Sequence, residues 1–367
     1  MVRMAPDDEF LFFLDPASRA GFDLKGDNVT VVDVQPTVAP SEAASADGAR
    51  SPSDMLRFTW AVGRTALDVF FYPSVYTYFP LPPGQKAVVG IHDAIAERFP
   101  ELTLPTTRAR VFWNAKVRLA VLQSTLVLSV SDFAADDVSR VIGVPRSRIR
   151  VAVEAPAETF FPSGDRSEIE AAASRIGLPP GSNWFVYVGG FNPHKNLDVM
   201  VEAFAAATRD MPEADRPYLL LVGSLDSDVF HLGTRDVRET IERSGVTDRV
   251  IWTGFVADDE LRHLHSGAIA LVLPSDCEGF GLPAVEAAAC GAPVIATTES
   301  PLPTLLADAG FFVEPRDREA LTHAMSALLA SPELRDTMGG RALERAGALS
   351  WERCADEALS ALREAAA

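Results

Sequence analysis

The chain has 367 residues, 47% of them hydrophobic, and a formal net charge of −18 at pH 7. This length suits two domains of ordinary size, and the negative charge argues against general nucleic-acid binding, which needs a basic surface. No apolar run approaches the roughly 18 residues of a membrane-spanning helix. The three cysteines, Cys277, Cys290 and Cys354, form no metal-binding spacing. They fit a reducing compartment, so we expect a cytoplasmic protein.

The first half of the chain alternates short apolar segments with helical ones. Strands are predicted at 9–14, 29–34, 69–72, 87–91, 126–130 and 150–153. Helices are predicted at 53–66, 107–123 and 132–142. Such alternation is typical of a parallel sheet covered by helices on both faces. His92 and Asp93 follow the strand at 87–91, at the carboxyl end where open α/β sheets bind ligands.

The segment 102–150 is basic in an otherwise acidic chain, with eight arginines and lysines against three aspartates. Part of this charge lies on the helix predicted at 107–123, which has an apolar side formed by Trp113, Val117 and Val121. Such a helix could contact anionic lipid or a diphosphate-lipid acceptor at the inner face of a membrane. An ordinary surface helix with solvated arginines is the preferred interpretation, and peripheral membrane contact stays open.

The segment 155–182 carries two proline-glycine clusters and is interpreted as a connection between domains. Beyond it the plan repeats, with strands predicted at 184–188, 218–222, 250–253, 269–273, 294–296 and 311–313. The tail from Ser350 is an Ala/Leu/Glu helix. We therefore predict an α/β protein with a first Rossmann-like domain at 1–160, a second at 161–349 and a terminal helix at 350–367.

A glycine turn follows the strand predicted at 184–188. Gly189 and Gly190 open the turn, and His194 and Lys195 close it at the start of a helix. An ammonium group in this place would stand beside a diphosphate while negative charge builds on the leaving group. The alternative is an ordinary surface lysine at a helix start.

The segment from Asp276 to Val294 is the most informative part of the chain. It holds Glu278 and Glu286, eight positions apart, with a Gly-Phe-Gly turn and a helix-opening proline between them. A strand, a glycine turn and a helix N-terminus together make an anion site, because unsatisfied N–H groups and the positive end of the helix dipole face the ligand. Carboxylates beside a phosphate site suggest hydroxyl recognition, and the combination fits a nucleotide sugar.

This segment, DCEGFGLPAVEAAACGAPV, resembles the donor-sugar motif of retaining glycosyltransferases of family 4. These enzymes have the GT-B fold, in which two Rossmann-like domains face a cleft and the last helix returns to the first domain. The turn ending at Lys195 is similar to the family's V-G-x-x-x-P-x-K-N segment. Many members carry arginine where this chain has Gly190, and often also where it has His194, which is only partly charged near neutral pH.

The resemblance implies a role for each matching position. Glu286 would bind the ribose hydroxyls, and Glu278 would bind a hydroxyl of the donor sugar. Phe255 would line the base pocket, with core packing as the alternative. The implied catalytic residues are His92, Lys195 and Glu278, and the implied donor-binding residues are Gly189, Gly190, His194, Lys195, Gly223, Phe255, Val256, Glu278, Gly279, Phe280, Gly281, Leu282 and Glu286.

The resemblance is greatest to mannosyltransferases that use GDP-mannose, and it implies retaining transfer of a hexose to a glycan, lipid-linked or small-molecule acceptor. A UDP-sugar donor, an inactive sugar-nucleotide-binding subunit and a GT-B epimerase are the alternatives. An NAD oxidoreductase is disfavoured, because no G-x-G-x-x-G follows a strand at the start of either half. No cofactor and no metal site are expected. The isolated match Asp226-Ser-Asp228 is interpreted as a loop.

Members of this family begin with a strand, a glycine-rich loop and a long helix, whereas this sequence starts at what resembles the second strand. The first strand and the glycine loop are therefore expected to be missing, through a misplaced initiator or an abbreviated domain. A parallel sheet without a central strand would expose unpaired edges. The expectation thus bears on stability as well as on activity.

Overall fold

The structure, a computed structural model, describes residues 1–15, 19, 21, 22, 24–35, 52–104, 106–224 and 231–367. The predicted loop with Asp226 and Asp228 lies outside these residues. The chain divides into two compact units, one of Met1–Val153 with Glu352–Ala367 and the other of Glu154–Trp351. None of the described helices is both long enough and apolar enough to cross a membrane.

The first unit contains two parallel sheets. Its strands are β1 (Phe10–Leu14), β2 (Val29–Asp33), β3 (Phe70–Tyr72), β4 (Ala87–Gly90), β5 (Leu126–Ser129) and β6 (Ile149–Val151). Strands β1 and β2 pair with each other, and the other four form a sheet in the order β3-β4-β5-β6. Both β4 and β5 are buried along their whole length, which is why their sequences are continuously apolar.

The helices of the first unit cover both faces of the larger sheet. They are α1 (Pro52–Gly63), α2 (Ile95–Arg98), α3 (Pro100–Thr103), α4 (Thr107–Gln123) and α5 (Asp132–Asp137), which continues as a π-helical turn at Val138–Ile142. Val89 packs in one core with α1 and α4, whereas Val88, its neighbour in the strand, packs on the other face against the terminal helix. Ser131 caps α5 by accepting from the Ala134 N–H at 3.0 Å.

The second unit contains a single parallel sheet of six strands in the order β12-β11-β10-β7-β8-β9. These are β7 (Trp184–Val188), β8 (Tyr218–Val222), β9 (Val250–Gly254), β10 (Ala270–Leu273), β11 (Val294–Thr297) and β12 (Gly310–Val313). The helices between them are α6 (Arg166–Arg175), α7 (Leu197–Thr208), α8 (His231–Ser244), α9 (Asp258–Ser266), α10 (Leu282–Ala289), α11 (Leu302–Leu305), α12 (Arg318–Ala330) and α13 (Pro332–Ala346).

The last helix, α14 (Trp351–Ala366), belongs to the first unit along almost its whole length. Its Glu364 carboxylate pairs with the guanidinium of Arg150, and its Glu357 accepts from the Val153 N–H at 3.0 Å. Two parallel α/β units and a helix that returns to the first of them confirm the predicted fold class. The fold places the carboxyl ends of β7, β8, β9 and β10 along one edge of the second sheet.

Candidate active site

Four of the predicted site segments lie along one edge of the second sheet. They follow β7, β8, β9 and β10, which are consecutive neighbours in the order β10-β7-β8-β9. Strand β7 comes first in the chain; β8 and β9 extend the sheet to one side of it, and β10, β11 and β12 extend it to the other. The boundary between β7 and β10 is therefore a topological switch point, where open α/β sheets bind ligands.

The loops at this edge approach one another closely where glycines allow it. Gly223 donates its N–H to the Gly254 carbonyl at 3.1 Å, and Gly189 donates to the Val222 carbonyl at 3.0 Å. A Cβ atom on Gly223 would lie 2.2 Å from the Gly189 carbonyl oxygen, a distance that a side chain cannot adopt. Position 223 therefore requires glycine. Gly190, in contrast, is exposed at the tip of the turn.

Lys195 and Glu278 form an ion pair at the switch point. The Lys195 Nζ donates to Glu278 Oε1 at 2.7 Å, and the Ser275 hydroxyl donates to the same oxygen. Glu278 is only 8% exposed, so its charge is compensated by these two donors. Lys195 closes the 3₁₀ turn Pro193–Lys195 after β7, and Glu278 follows β10. The structure thus brings together two of the three predicted catalytic residues.

A second ionic network, made of the buried Asp276 and Asn196 and the exposed Arg316, fixes the two loops that carry this pair. The Arg316 guanidinium donates to both Asp276 carboxylate oxygens, at 2.9 and 2.8 Å. The Asn196 amide donates to Asp276 at 2.8 Å and to the Pro274 carbonyl at 3.1 Å. Burial opposes ionisation of Asp276, but the bonds from Arg316 and Asn196 outweigh it, so the pKa of this carboxyl lies below its usual range. The network joins the loops after β7, β10 and β12.

Asn196 and Arg316 both have left-handed backbones, with φ of 52° and 64°. Asparagine adopts this conformation more readily than most residues, and the turn it makes places Lys195 directly before helix α7. The Asp276 N–H also donates to the His194 carbonyl at 2.7 Å. Backbone and side-chain bonds therefore converge on the residues that flank Lys195.

His194 does not supply the positive charge expected from the sequence. Its side chain is buried, and burial, followed by the neighbouring charge of Lys195, lowers the pKa of the imidazole to about 4. The ring is neutral near pH 7, and its Nδ1 atom has no partner within the described residues. In the ligand-free protein His194 therefore carries no charge near pH 7 that would replace an arginine.

Helix α10 points its N-terminus at this edge of the sheet. Its N-cap is Gly281, with φ of 91°, and Pro283 lies in the first turn. Pro283 has no N–H, and the Ala284 N–H donates to the Gly281 carbonyl at 2.9 Å. The glycine cap has no side chain that could occupy the Leu282 N–H, so this group at the start of the helix can bind an anion. The adjoining Gly279 and Phe280 are buried and Leu282 is half-buried. The geometry agrees with the strand, turn and helix predicted here.

Glu286 lies on α10, away from the Lys195–Glu278 pair. Its carboxylate accepts no hydrogen bond in the described part of the chain, and its electrostatic neighbour is Asp258 at the start of α9. Burial first, and then Asp258, raise the pKa of Glu286 to about 7. Glu286 is therefore associated with the loop after β9, whereas Glu278 is held beside the loop after β7.

Phe255 stands in that same loop after β9 and is 79% exposed, which excludes the alternative that it packs in the core. Val256 beside it is half-buried. An exposed aromatic ring offers a stacking surface, and a carboxylate without a hydrogen-bond partner in the described chain offers a hydroxyl acceptor.

His92 lies in the first unit, at the carboxyl end of β4, as predicted. It is exposed, and its Nε2 atom is 2.9 Å from the Pro73 carbonyl oxygen. Gly90 is needed here because a Cβ atom would lie 2.1 Å from the same oxygen. The Pro73 carbonyl therefore orients the imidazole of the third predicted catalytic residue.

Sequence reasoning missed the network of Asp276, Asn196 and Arg316, as well as the Ser275 hydroxyl on Glu278. Asn196 and Ser275 adjoin predicted residues, so their proximity was available from the sequence. Arg316 lies 40 positions from Asp276, and no motif marks it. Only the pairing of β11 between β10 and β12 brings its loop to the site.

The chain is similar to known proteins in sequence and in structure. Residues 168–345 match a family model described as "Glycosyl transferases group 1". O-antigen chain mannosyltransferase B of Escherichia coli is 27% identical over 309 residues, which cover 84% of this chain and 77% of the relative. D-inositol 3-phosphate glycosyltransferase of Segniliparus rotundus is 34% identical over 208 residues, covering 56% of this chain but only 44% of the relative.

Among solved structures, sucrose-phosphate synthase of Thermosynechococcus elongatus superposes with a TM-score of 0.71 at 22% identity, covering 97% of this chain and 88% of that one. This similarity establishes the fold and confirms the predicted GT-B class. The sequence match covers the sheet edge that carries Lys195, Glu278 and Glu286. Residues 168–345 of this chain are therefore similar to the glycosyl transferases of group 1.

Proposed function

We propose that this protein is a retaining hexosyltransferase that takes its sugar from a nucleotide diphosphate donor. The observation that carries the proposal is the Lys195–Glu278 pair at the switch point of a domain similar to the glycosyl transferases of group 1, with the N-terminus of α10 beside it. A cation and a helix N-terminus suit a diphosphate, and a buried carboxylate suits a sugar hydroxyl.

Each group has a distinct task in this reaction. The bond from the anomeric carbon to the diphosphate oxygen breaks, and a bond from that carbon to an acceptor oxygen forms on the same face. The acceptor's proton ends on the departing nucleoside diphosphate. Lys195 and the amide groups at the start of α10 stabilise the negative charge of that leaving group. Glu278 orients Lys195 and accepts from a hydroxyl of the donor sugar.

The nucleoside would lie against the loop after β9. Phe255 offers an exposed ring for the base, and Glu286 offers a carboxylate for the ribose hydroxyls. His92 would act on the sugar from the first unit. Gly189, Gly190 and Gly223 would let the backbone of these loops approach the donor. Val256 would line the base pocket together with Phe255.

GDP-mannose is the proposed donor, and the acceptor is a glycan, a lipid-linked sugar or a small molecule. The name of the Escherichia coli relative, a mannosyltransferase, supports this choice. A UDP-sugar donor is the alternative. A subunit that binds the sugar nucleotide without turnover is a second alternative, and binding and turnover therefore have to be measured separately.

The test is a calorimetric screen of GDP, UDP, ADP and their sugar conjugates, each with and without Mg²⁺. We expect one nucleotide series to bind, with equal affinity in both conditions. Glu286→Gln and Lys195→Met should weaken binding, and Glu278→Gln should lower turnover more than binding. Arg235→Glu, an exposed change on α8, is the matched control. Wild-type binding and turnover in all three site variants would refute the assignment, and binding without turnover would favour the inactive subunit.

A further inference from the structure

Helix α4 exposes large apolar side chains to solvent along one stripe. Phe112 is 61% exposed and Leu122 is 78% exposed, and Val111 and Leu119 lie on the same face between them. The opposite face, with Trp113, is buried in the core of the first unit. A helix on a protein surface normally turns polar residues to solvent, so a contiguous apolar stripe marks an interaction site.

Helix α1 repeats this arrangement. Leu56 and Trp60, one turn apart, are both exposed, the latter by 64%. The two helices belong to the same core and hold the same segment of chain: Thr59 of α1 donates to the Pro80 carbonyl at 2.6 Å, and Gln123 of α4 donates to the Leu81 carbonyl at 3.2 Å. The two helices therefore anchor neighbouring residues of one segment, and each turns an apolar stripe to solvent.

The charges beside these stripes are positive. Helix α4 contains four arginines and lysines and no acidic residue, in a chain whose net charge is −18. The Arg108 guanidinium lies 5.6 Å from the centre of the Phe112 ring, and the Arg64 guanidinium lies 4.6 Å from that of Trp60. Arginines stacked on exposed aromatic rings keep their charged ends at the level of the apolar groups.

We propose that the outward faces of α1 and α4 dock on an anionic lipid surface. Exposed tryptophan, phenylalanine and leucine with interspersed arginines are the composition of a helix that lies in a membrane interface, where rings enter the headgroup region and guanidinium groups meet phosphates. A second copy of the chain fits these faces less well. In a symmetric pair α4 would pack against its own copy, so the basic residues of one helix would face a second helix that has no acidic residue to compensate them.

The test is co-sedimentation of the full chain with vesicles of phosphatidylcholine alone and of an equimolar mixture with phosphatidylglycerol. We expect binding to the mixed vesicles, little binding to phosphatidylcholine, and loss of binding in high salt. Arg118→Glu should weaken binding by about fivefold or more, because each basic residue near an anionic leaflet contributes about that factor. Phe112→Ser with Leu122→Ser should reduce it at least as much.

Matched controls lie on the second unit. Leu343→Ser removes an exposed apolar side chain from α13, and Arg235→Glu reverses an exposed charge on α8; neither should change vesicle binding. All variants should keep the far-UV circular dichroism spectrum and thermal midpoint of the parent. Absence of wild-type binding to mixed vesicles, or equal loss in the control variants, would overturn the proposal. The proposal would also be overturned if the wild-type protein were a dimer and the double variant Phe112→Ser with Leu122→Ser were a monomer, because this face would then bind a second copy of the chain. The readout needs no donor or acceptor, so it is independent of the proposed transferase activity.

Discussion

Replacing Lys195 with methionine should destabilise the second unit, although the residue lies at a ligand-binding edge. Glu278 is 8% exposed and, among the residues that the structure describes, would keep only the Ser275 hydroxyl as a side-chain donor. Removing one partner from a fully buried ion pair costs about 3–5 kcal/mol. Because a small part of each side chain here reaches solvent, we expect a loss of about 2 kcal/mol in the free energy of unfolding.

The carboxylate can be neutralised to separate this effect from lost packing. Glu278→Gln leaves Lys195 able to turn toward water and should cost about 1 kcal/mol. The double variant Lys195→Met with Glu278→Gln should then cost less than the two single changes together, with a coupling of about 1 kcal/mol or more. Urea unfolding of the ligand-free protein, followed by circular dichroism, measures all three, and Lys86→Met, at an exposed position directly before β4, is the control. Additive costs, or a loss below about 0.5 kcal/mol for Lys195→Met, would refute the reasoning.

Two further predictions concern buried groups. His265 is fully buried with both ring nitrogens unpartnered within the described chain, and burial lowers its pKa to about 3. Below the unfolded pKa of about 6.5 the unfolded state binds one more proton, so the free energy of unfolding decreases by about 1.4 kcal/mol for each unit by which the pH is lowered. When the pH is lowered from 7.5 to 5, the His265→Leu variant should therefore lose about 2 kcal/mol less stability than the parent in urea unfolding. Equal losses in the two proteins would contradict this. Gly223→Ala should lower the thermal midpoint and weaken nucleotide binding, because its Cβ would lie 2.2 Å from the Gly189 carbonyl oxygen. The control is Gly340→Ala on α13, whose Cβ would meet nothing within 4 Å and which should be neutral or stabilising. Equal effects of the two changes would refute the close-approach argument.

The sheets could be predicted from the sequence because parallel strands buried on both faces carry continuous apolar runs. The run Trp184–Val188 has no period that a helix would require, and it is β7 in the structure. The segment from Asp276 onward was equally informative, because a Gly-Phe-Gly turn followed by a proline is typical of a tight turn that leads into a helix. Lys195 and Glu278 were both identified because each directly follows such a strand.

Their pairing could not be predicted. The two residues are 83 positions apart, and they meet because β10 lies beside β7, a neighbour relationship that local periodicity does not encode. The neutral state of His194 has the same origin, because it depends on burial by surrounding elements. The outer face of α4 had a readable signal: Phe112, Leu119 and Leu122 are apolar but do not lie on the same side of the helix as Trp113 and Val117, so the helix carries apolar residues on two sides.

The position of Lys195 depends on ionic bonds more than on packing. Asn196, the next residue, is tied to Asp276, and Asp276 is held by the fork of Arg316, so three loops are joined through one carboxylate. The pKa of Asp276 is lowered in the folded state, so the stability that this network contributes is present above the unfolded pKa and is lost as pH falls through the folded one. At neutral pH the carboxylate is therefore fully ionised. The loops after β7 and β10 are then held in place before a donor binds. A lysine fixed in this way can stabilise a leaving group without the free-energy cost of reorganising the site during the reaction.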